Sequence, residues 1–95
     1  MTSTTTSAFA LGNLNITPGA FIACASAGLA PQDFLQKHAA CDWSEMTEHD
    51  REANRAAVDQ GGRIFSSYWL NDDVKVWVIT EADRSRTTVL LPDEY

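Results

Sequence analysis

The feature that most constrains this chain is its C-terminal stretch, Val74 to Tyr95, VKVWVITEADRSRTTVLLPDEY. Two runs rich in β-branched residues, Val74 to Thr80 and Thr87 to Leu91, flank a short charged connection from Glu81 to Arg86. The pattern predicts two antiparallel strands and a loop. In the first run Val74, Val76 and Val78 alternate with Lys75, Trp77 and Ile79, and in the second Val89 and Leu91 alternate with Thr88 and Leu90. Bulk on both faces places this pair at the centre of a sheet. Arg63 to Leu70, RIFSSYWL, alternates too, and Asn71-Asp72-Asp73 supplies turn chemistry, so it joins as a third strand.

Helix signals fill the chain before that meander. Thr17-Pro18 combines a capping hydroxyl with proline at the first helical position, and Gly28 supplies the stop. Pro31 opens a second helix, with Phe34, Leu35 and His38 along one face. A third begins at Thr47, with Asp50 three residues on, and ends at Gly61-Gly62; its inward stripe is thin, built from Ala53, Ala56, Ala57 and Val58, with Asn54 at its margin. The expected fold is therefore α+β: three N-terminal helices packed on one face of a three-stranded antiparallel meander. Such a sheet has two edges, and a helix, the N-terminal segment or a second subunit must cover one, which leaves a homodimer open.

The chain has 95 residues, enough for one domain over residues 8–95, preceded by a Ser/Thr-rich tail over residues 1–7 expected to be frayed. Thirteen acidic residues against seven basic ones give a net charge of -6, which disfavours general nucleic-acid binding and suits a basic protein partner. Cys24 and Cys41 show no metal or dithiol spacing. Phosphate-loop and dinucleotide motifs are missing, so neither a metal nor a cofactor is expected. With no run of about eighteen apolar residues and no secretory signal, the expected location is the cytoplasm, away from membranes.

Four stretches, LGNLNITPGA, FLQKHAACDWSEM, DREANRAAVDQGGRIFSSY and VWVITEADRSRTTVLLPDEY, together resemble an uncharacterised family of short bacterial proteins of plasmids and integrative elements. Its members end on a WVITEADRS-x-TTVLLP-x-EY motif and carry labels such as "plasmid-related protein". The resemblance implies a role in plasmid maintenance or in antagonism of a host defence complex. Family members commonly place a basic residue, a histidine and then Gly-Asp-Trp-Gly after the second helix. Here that reads Lys37-His38 and Cys41-Asp42-Trp43-Ser44, with both glycines replaced.

Two functional readings follow. The leading one is a non-enzymatic interaction protein, with Asp42, Trp43, Arg63, Tyr68, Glu81, Asp83, Arg84 and Arg86 as binding candidates. Loops between rigid strands commonly hold such groups, and arginine forks suit carboxylate or phosphate. The alternative is a small metal-independent ribonuclease or toxin, in outline similar to the barnase-like and RelE-like nucleases. It would use His38 or Glu81 as base and Arg84 or Arg86 to stabilise charge, with Ser66, Tyr68 or Thr87 positioning phosphate. Whether the chain is an enzyme stays open at this level. Ion pairs within the loop from Glu81 to Arg86, and a structural role for His38, are the plainer readings of those residues.

Overall fold

The computed structural model describes residues 8–95; the tail over residues 1–7 lies outside the described residues. Its elements are β1 (Asn13–Ile16), α1 (Pro18–Ser26), α2 (Pro31–Ala39), α3 (Glu48–Gln60), β2 (Ile64–Trp69), β3 (Lys75–Thr80), β4 (Arg86–Leu90) and a closing 3-10 turn (Pro92–Glu94). The α+β class and the antiparallel meander β2-β3-β4 are as the sequence predicts. One strand is added: β1 pairs in parallel with β4, giving a four-stranded mixed sheet of order β1-β4-β3-β2. β3 and β4 are thus the central strands.

Local chemistry explains the boundaries. Thr17 accepts the Ala20 N–H at 3.1 Å ahead of Pro18, and Thr47 accepts the Asp50 N–H at 3.2 Å, so each hydroxyl satisfies an orphan amide of its helix. Gly61 closes α3 at φ 84°, a left-handed conformation that costs glycine nothing. At the other end of the chain, Glu94 returns to the start of α1, accepting the Thr17 hydroxyl at 2.5 Å and the Leu91 N–H at 2.8 Å. Those hydrogen bonds hold its carboxyl below the usual range.

The core lies between the helices and one sheet face. Ala20 and Cys24 of α1 and Phe34 of α2 pack on Tyr68, Val76, Val78 and Val89. A second cluster joins Phe9, Trp43, Met46 and Ile64. The other sheet face carries a smaller aromatic layer: Phe65 meets Trp77 edge to face at 4.9 Å, and Tyr95 closes on Trp77 at 5.8 Å. Helix α3 departs from expectation. Ala53 and Ala56 are exposed, and its one buried residue is Asn54. The reason is a polar contact: the Asn54 amide donates to the Phe65 carbonyl at 2.6 Å and accepts the Phe65 N–H at 3.1 Å. Helix α3 therefore seals the outer edge of β2, while Ala57 and Val58 of the expected stripe pack against the second core cluster.

Gly12 makes the β1-β4 pairing possible. It sits at φ +67°, and a Cβ there would collide with the Arg84 carbonyl oxygen and the Ser85 backbone. Replacing it adds left-handed strain to a backbone clash. Gly12→Ala is expected to lower unfolding stability by about 3 kcal/mol in urea titrations, with amide exchange accelerating first along Asn13 to Ile16.

Candidate functional site

Polar groups concentrate at two places, one buried and one exposed. The buried one is a line of hydrogen bonds through His38, which is 0% exposed on the inner face of α2. Its Nδ1 lies 2.5 Å from the Ser66 hydroxyl and its Nε2 2.8 Å from the Thr80 hydroxyl. Thr80 in turn meets the Thr87 hydroxyl at 2.7 Å, and Thr87 donates to the Leu11 carbonyl at 2.7 Å. At the other end the Trp43 indole N–H donates to Ser66 at 2.9 Å.

The two ends of this line set every proton in it. Leu11 offers only an acceptor, so Thr87 spends its proton there and must accept from Thr80. Thr80 then has no proton left for the imidazole, so Nε2 carries the hydrogen and Nδ1 accepts from Ser66. Ser66 is free to donate because Trp43 fills its acceptor side. One neutral tautomer of His38 satisfies the whole line, and a second proton on the ring would oppose the Ser66 O–H. Burial pushes the imidazole pKa down from 6.5 to about 4, in the same direction.

A serine donating to a histidine has the polarity of a nucleophile and its base. The third member here is a neutral hydroxyl, and Ser66, Thr80 and Thr87 are all 0% exposed, so no substrate atom can reach the pair. The line holds the fold. Among the described residues, no buried side-chain nitrogen or oxygen lacks a partner.

The remaining sequence candidates do not gather around it. Tyr68 is buried and donates to the Asp42 carbonyl at 2.8 Å, and burial raises its phenol pKa. Trp43 is buried in the second core cluster. The Asp42 carboxylate accepts from the Ser44 N–H and hydroxyl, making a local turn after Cys41, which holds φ 59°. That backbone region favours glycine. Arg63 is exposed, pairs with Glu81 at 3.5 Å and donates to the Tyr95 hydroxyl. Arg86 is exposed at the start of β4.

The connection from Glu81 to Arg86 is held by carbonyls instead of ion pairs within itself. Arg84, at φ 61°, donates to the carbonyls of Gly62 at 2.6 Å, Ala57 at 3.0 Å, and Glu81 and Ala82 at 3.2 Å each. Its planar fork ties the β3-β4 turn to the end of α3. Asp83 accepts the Ser85 N–H at 3.0 Å, and its hydrogen bonds to Ser85 keep its carboxyl below the usual range.

The exposed concentration is apolar, and the sequence reading overlooked it. Every acidic and basic residue lies from Asp33 onward, so β1 and α1 belong to a stretch without one charged side chain. On that stretch stand Leu14 (57% exposed), Ile16, Phe21, Ile22 (63%) and Leu29; elsewhere among the described residues only Trp69 and Tyr95 are large, apolar and exposed. All four β1 residues are exposed. The absence of charge in MTSTTTSAFALGNLNITPGAFIACASAGLAPQ was the available signal.

The two sheet edges also differ. On β2, Asn54 occupies the outward amide and carbonyl of Phe65, and Glu45 accepts the Trp69 N–H at 2.9 Å. On β1, the Asn13 and Thr17 N–H groups bond to Ser85 and Val89 on the β4 side, so by alternation the Leu14 and Ile16 backbone groups point away from the sheet. Among the described residues nothing pairs with them.

Among the described residues no helix is long and apolar enough to cross a membrane, and no three His, Cys, Asp or Glu side chains gather as a metal site requires. Compared with known proteins, the chain matches no family model, no curated sequence and no solved structure.

Two outcomes test the buried architecture. His38 has a folded-state pKa below its unfolded value, so its contribution is full above pH about 6.5 and is lost as pH falls toward about 4. Unfolding stability should drop by on the order of 3 kcal/mol across that window, and His38→Gln should remove this part of the slope. Arg84→Lys, which keeps charge but loses the fork, should cost about 2 kcal/mol in the same titration.

Proposed function

We propose that this chain is a non-enzymatic protein-binding module whose contact surface is the side formed by β1 and α1, two elements without a charged side chain. The observation that carries the reading is the placement of Leu14, Ile16, Phe21, Ile22 and Leu29 together on a stretch with no charge, in a protein of net charge -6. Monomeric soluble domains seldom leave such surface open without use. An unpaired strand edge adds main-chain donors and acceptors to it, the mode by which a partner strand extends a sheet.

The ribonuclease reading has less to stand on. His38 has no exposed surface, and Arg84 spends its guanidinium on four carbonyls, so neither can meet a phosphate. A cytosolic binding role in plasmid maintenance, or against a host defence complex, fits the resemblance to proteins of mobile elements. Acidic residues from Asp33 onward then govern approach and solubility, while the neutral side makes the contact.

Expression in a bacterial host should be harmless, and the purified chain should leave RNA intact. Immobilised protein should retain a defined partner, and Leu14→Lys or Phe21→Ser should abolish retention with little change in melting temperature. Growth arrest relieved by Arg86→Ala, with RNA cleavage in vitro, would instead establish the nuclease.

A further inference from the structure

We infer that the open edge of β1 is closed by β1 of a second copy of this chain, joining two sheets of four strands into one continuous sheet about a two-fold axis. This deepens the reading of the β1-α1 side as an interface and rests on it. Three observations lead there.

The first is the contrast between edges. β2 carries side chains that occupy its outward backbone groups, Asn54 on Phe65 and Glu45 on Trp69, which blocks strand addition on that side. Among the described residues β1 has no such guard, and it contains neither lysine nor proline. Among the described residues one edge is defended and the other is not.

Charge is the second. Two copies at -6 each repel, and β1 and α1 carry no charged side chain of their own, the Glu94 carboxylate beside α1 being turned onto the Thr17 hydroxyl and the Leu91 N–H. A strongly basic partner finds Glu94 there already occupied by the Thr17 hydroxyl and the Leu91 N–H. A second copy brings the same neutral surface and matches it.

Register is the third. Leu14 and Ile16 are the residues whose backbone groups face outward, and antiparallel pairing of Leu14 with Ile16 of the other copy lets each pair exchange both N–H and carbonyl bonds. The two-fold axis then passes between the two copies of Asn15, giving four main-chain hydrogen bonds. Shifting the register one way brings in Gly12, whose φ of +67° is not that of a strand. Shifting it the other way meets Pro18, which has no N–H. In the favoured register Leu14 packs against Ile16 of the other copy on the sheet face that carries α1, because the two residues align with Thr87 and Val89. A stable interface takes about 800 Å² per partner, more than four strand residues supply, so the exposed Phe21 and Ile22 of the same layer complete it.

The test uses the full chain. Light scattering after size exclusion should return twice the chain mass, and Leu14→Lys should return the chain mass with an unchanged circular dichroism spectrum, whereas Trp69→Lys on the opposite edge should stay dimeric. Asn15→Cys should oxidise to a symmetric disulfide dimer, since the unbonded pair places its Cα atoms about 4.5 Å apart, within disulfide range. Asn13→Cys, two residues off the axis, should not. A monomer at every concentration overturns the inference, as does a dimer that survives Leu14→Lys or one that Asn13→Cys cross-links as readily as Asn15→Cys. A full chain that dimerises only after residues 2–7 are deleted also overturns it, because the edge is then covered by the chain's own N-terminal segment. If the chain is monomeric yet Leu14→Lys abolishes retention of a partner, the second copy is excluded and the interface reading stands. If retention is also unaffected, both fall.

Discussion

A single file of hydrogen bonds from Trp43 to Leu11 ties this small domain together. It passes through Ser66 on β2, His38 on α2, Thr80 on β3 and Thr87 on β4, so it crosses the sheet strand by strand and ends on the segment leading to β1. Each hydroxyl donates once and accepts once, in one direction. Such a line is worth more as specification than as raw stability: a hydrogen bond contributes about 1 kcal/mol net, but an unpaired buried polar group costs more than that. A strand that slipped by one residue would carry its hydroxyl to the opposite face and leave the imidazole unpaired. The line therefore discriminates among registers that apolar packing of valines would tolerate.

Around it the protein treats its backbone as carefully as its side chains. Asn54 completes β2, Arg84 gathers four carbonyls at the join of α3 and the β3-β4 turn, and Glu94 fastens the final turn to the first helix. These contacts use polar groups that a reader of composition assigns to the surface. Among the described residues nothing comparable completes the outer edge of β1.

Much of the fold could be read from residue order. Strand alternation gave the meander, and Thr17, Pro18, Pro31, Thr47 and Gly61 marked the helix ends because capping and left-handed turns are local chemistry. What escaped was non-local. β1 is four residues of mixed polarity, and only its partner 73 positions later makes it a strand. His38 read as a lone histidine because its partners are hydroxyls on distant strands, although the inward parity of Ser66 alongside Ile64 and Tyr68 was a usable sign of a buried polar position. Asn54, at the margin of an alanine stripe, was legible as a buried hydrogen-bonding group, but its partner on β2 was not. Arg84 read as a partner for the carboxylates of its own loop, since nothing in ADRS announces a guanidinium turned back onto carbonyls. The neutral surface was plain in the sequence but invisible to motif search, which looks for residues that are present.

The pairing of β1 with β4 has a consequence for synthesis. β1 emerges from the ribosome first, and the strand that receives it emerges after every other element of the sheet. Until Thr87 and Val89 are made, the nascent chain carries an uncharged segment of mixed polarity with no strand beside it and a glycine whose tight fit has nothing to fit against. The slowest contact to close is the one with the longest loop, so the sheet is completed from its far side inward and β1 is seated last. A chain built this way holds Leu14 and Ile16 without a neighbouring strand until the last strand of its sheet is made.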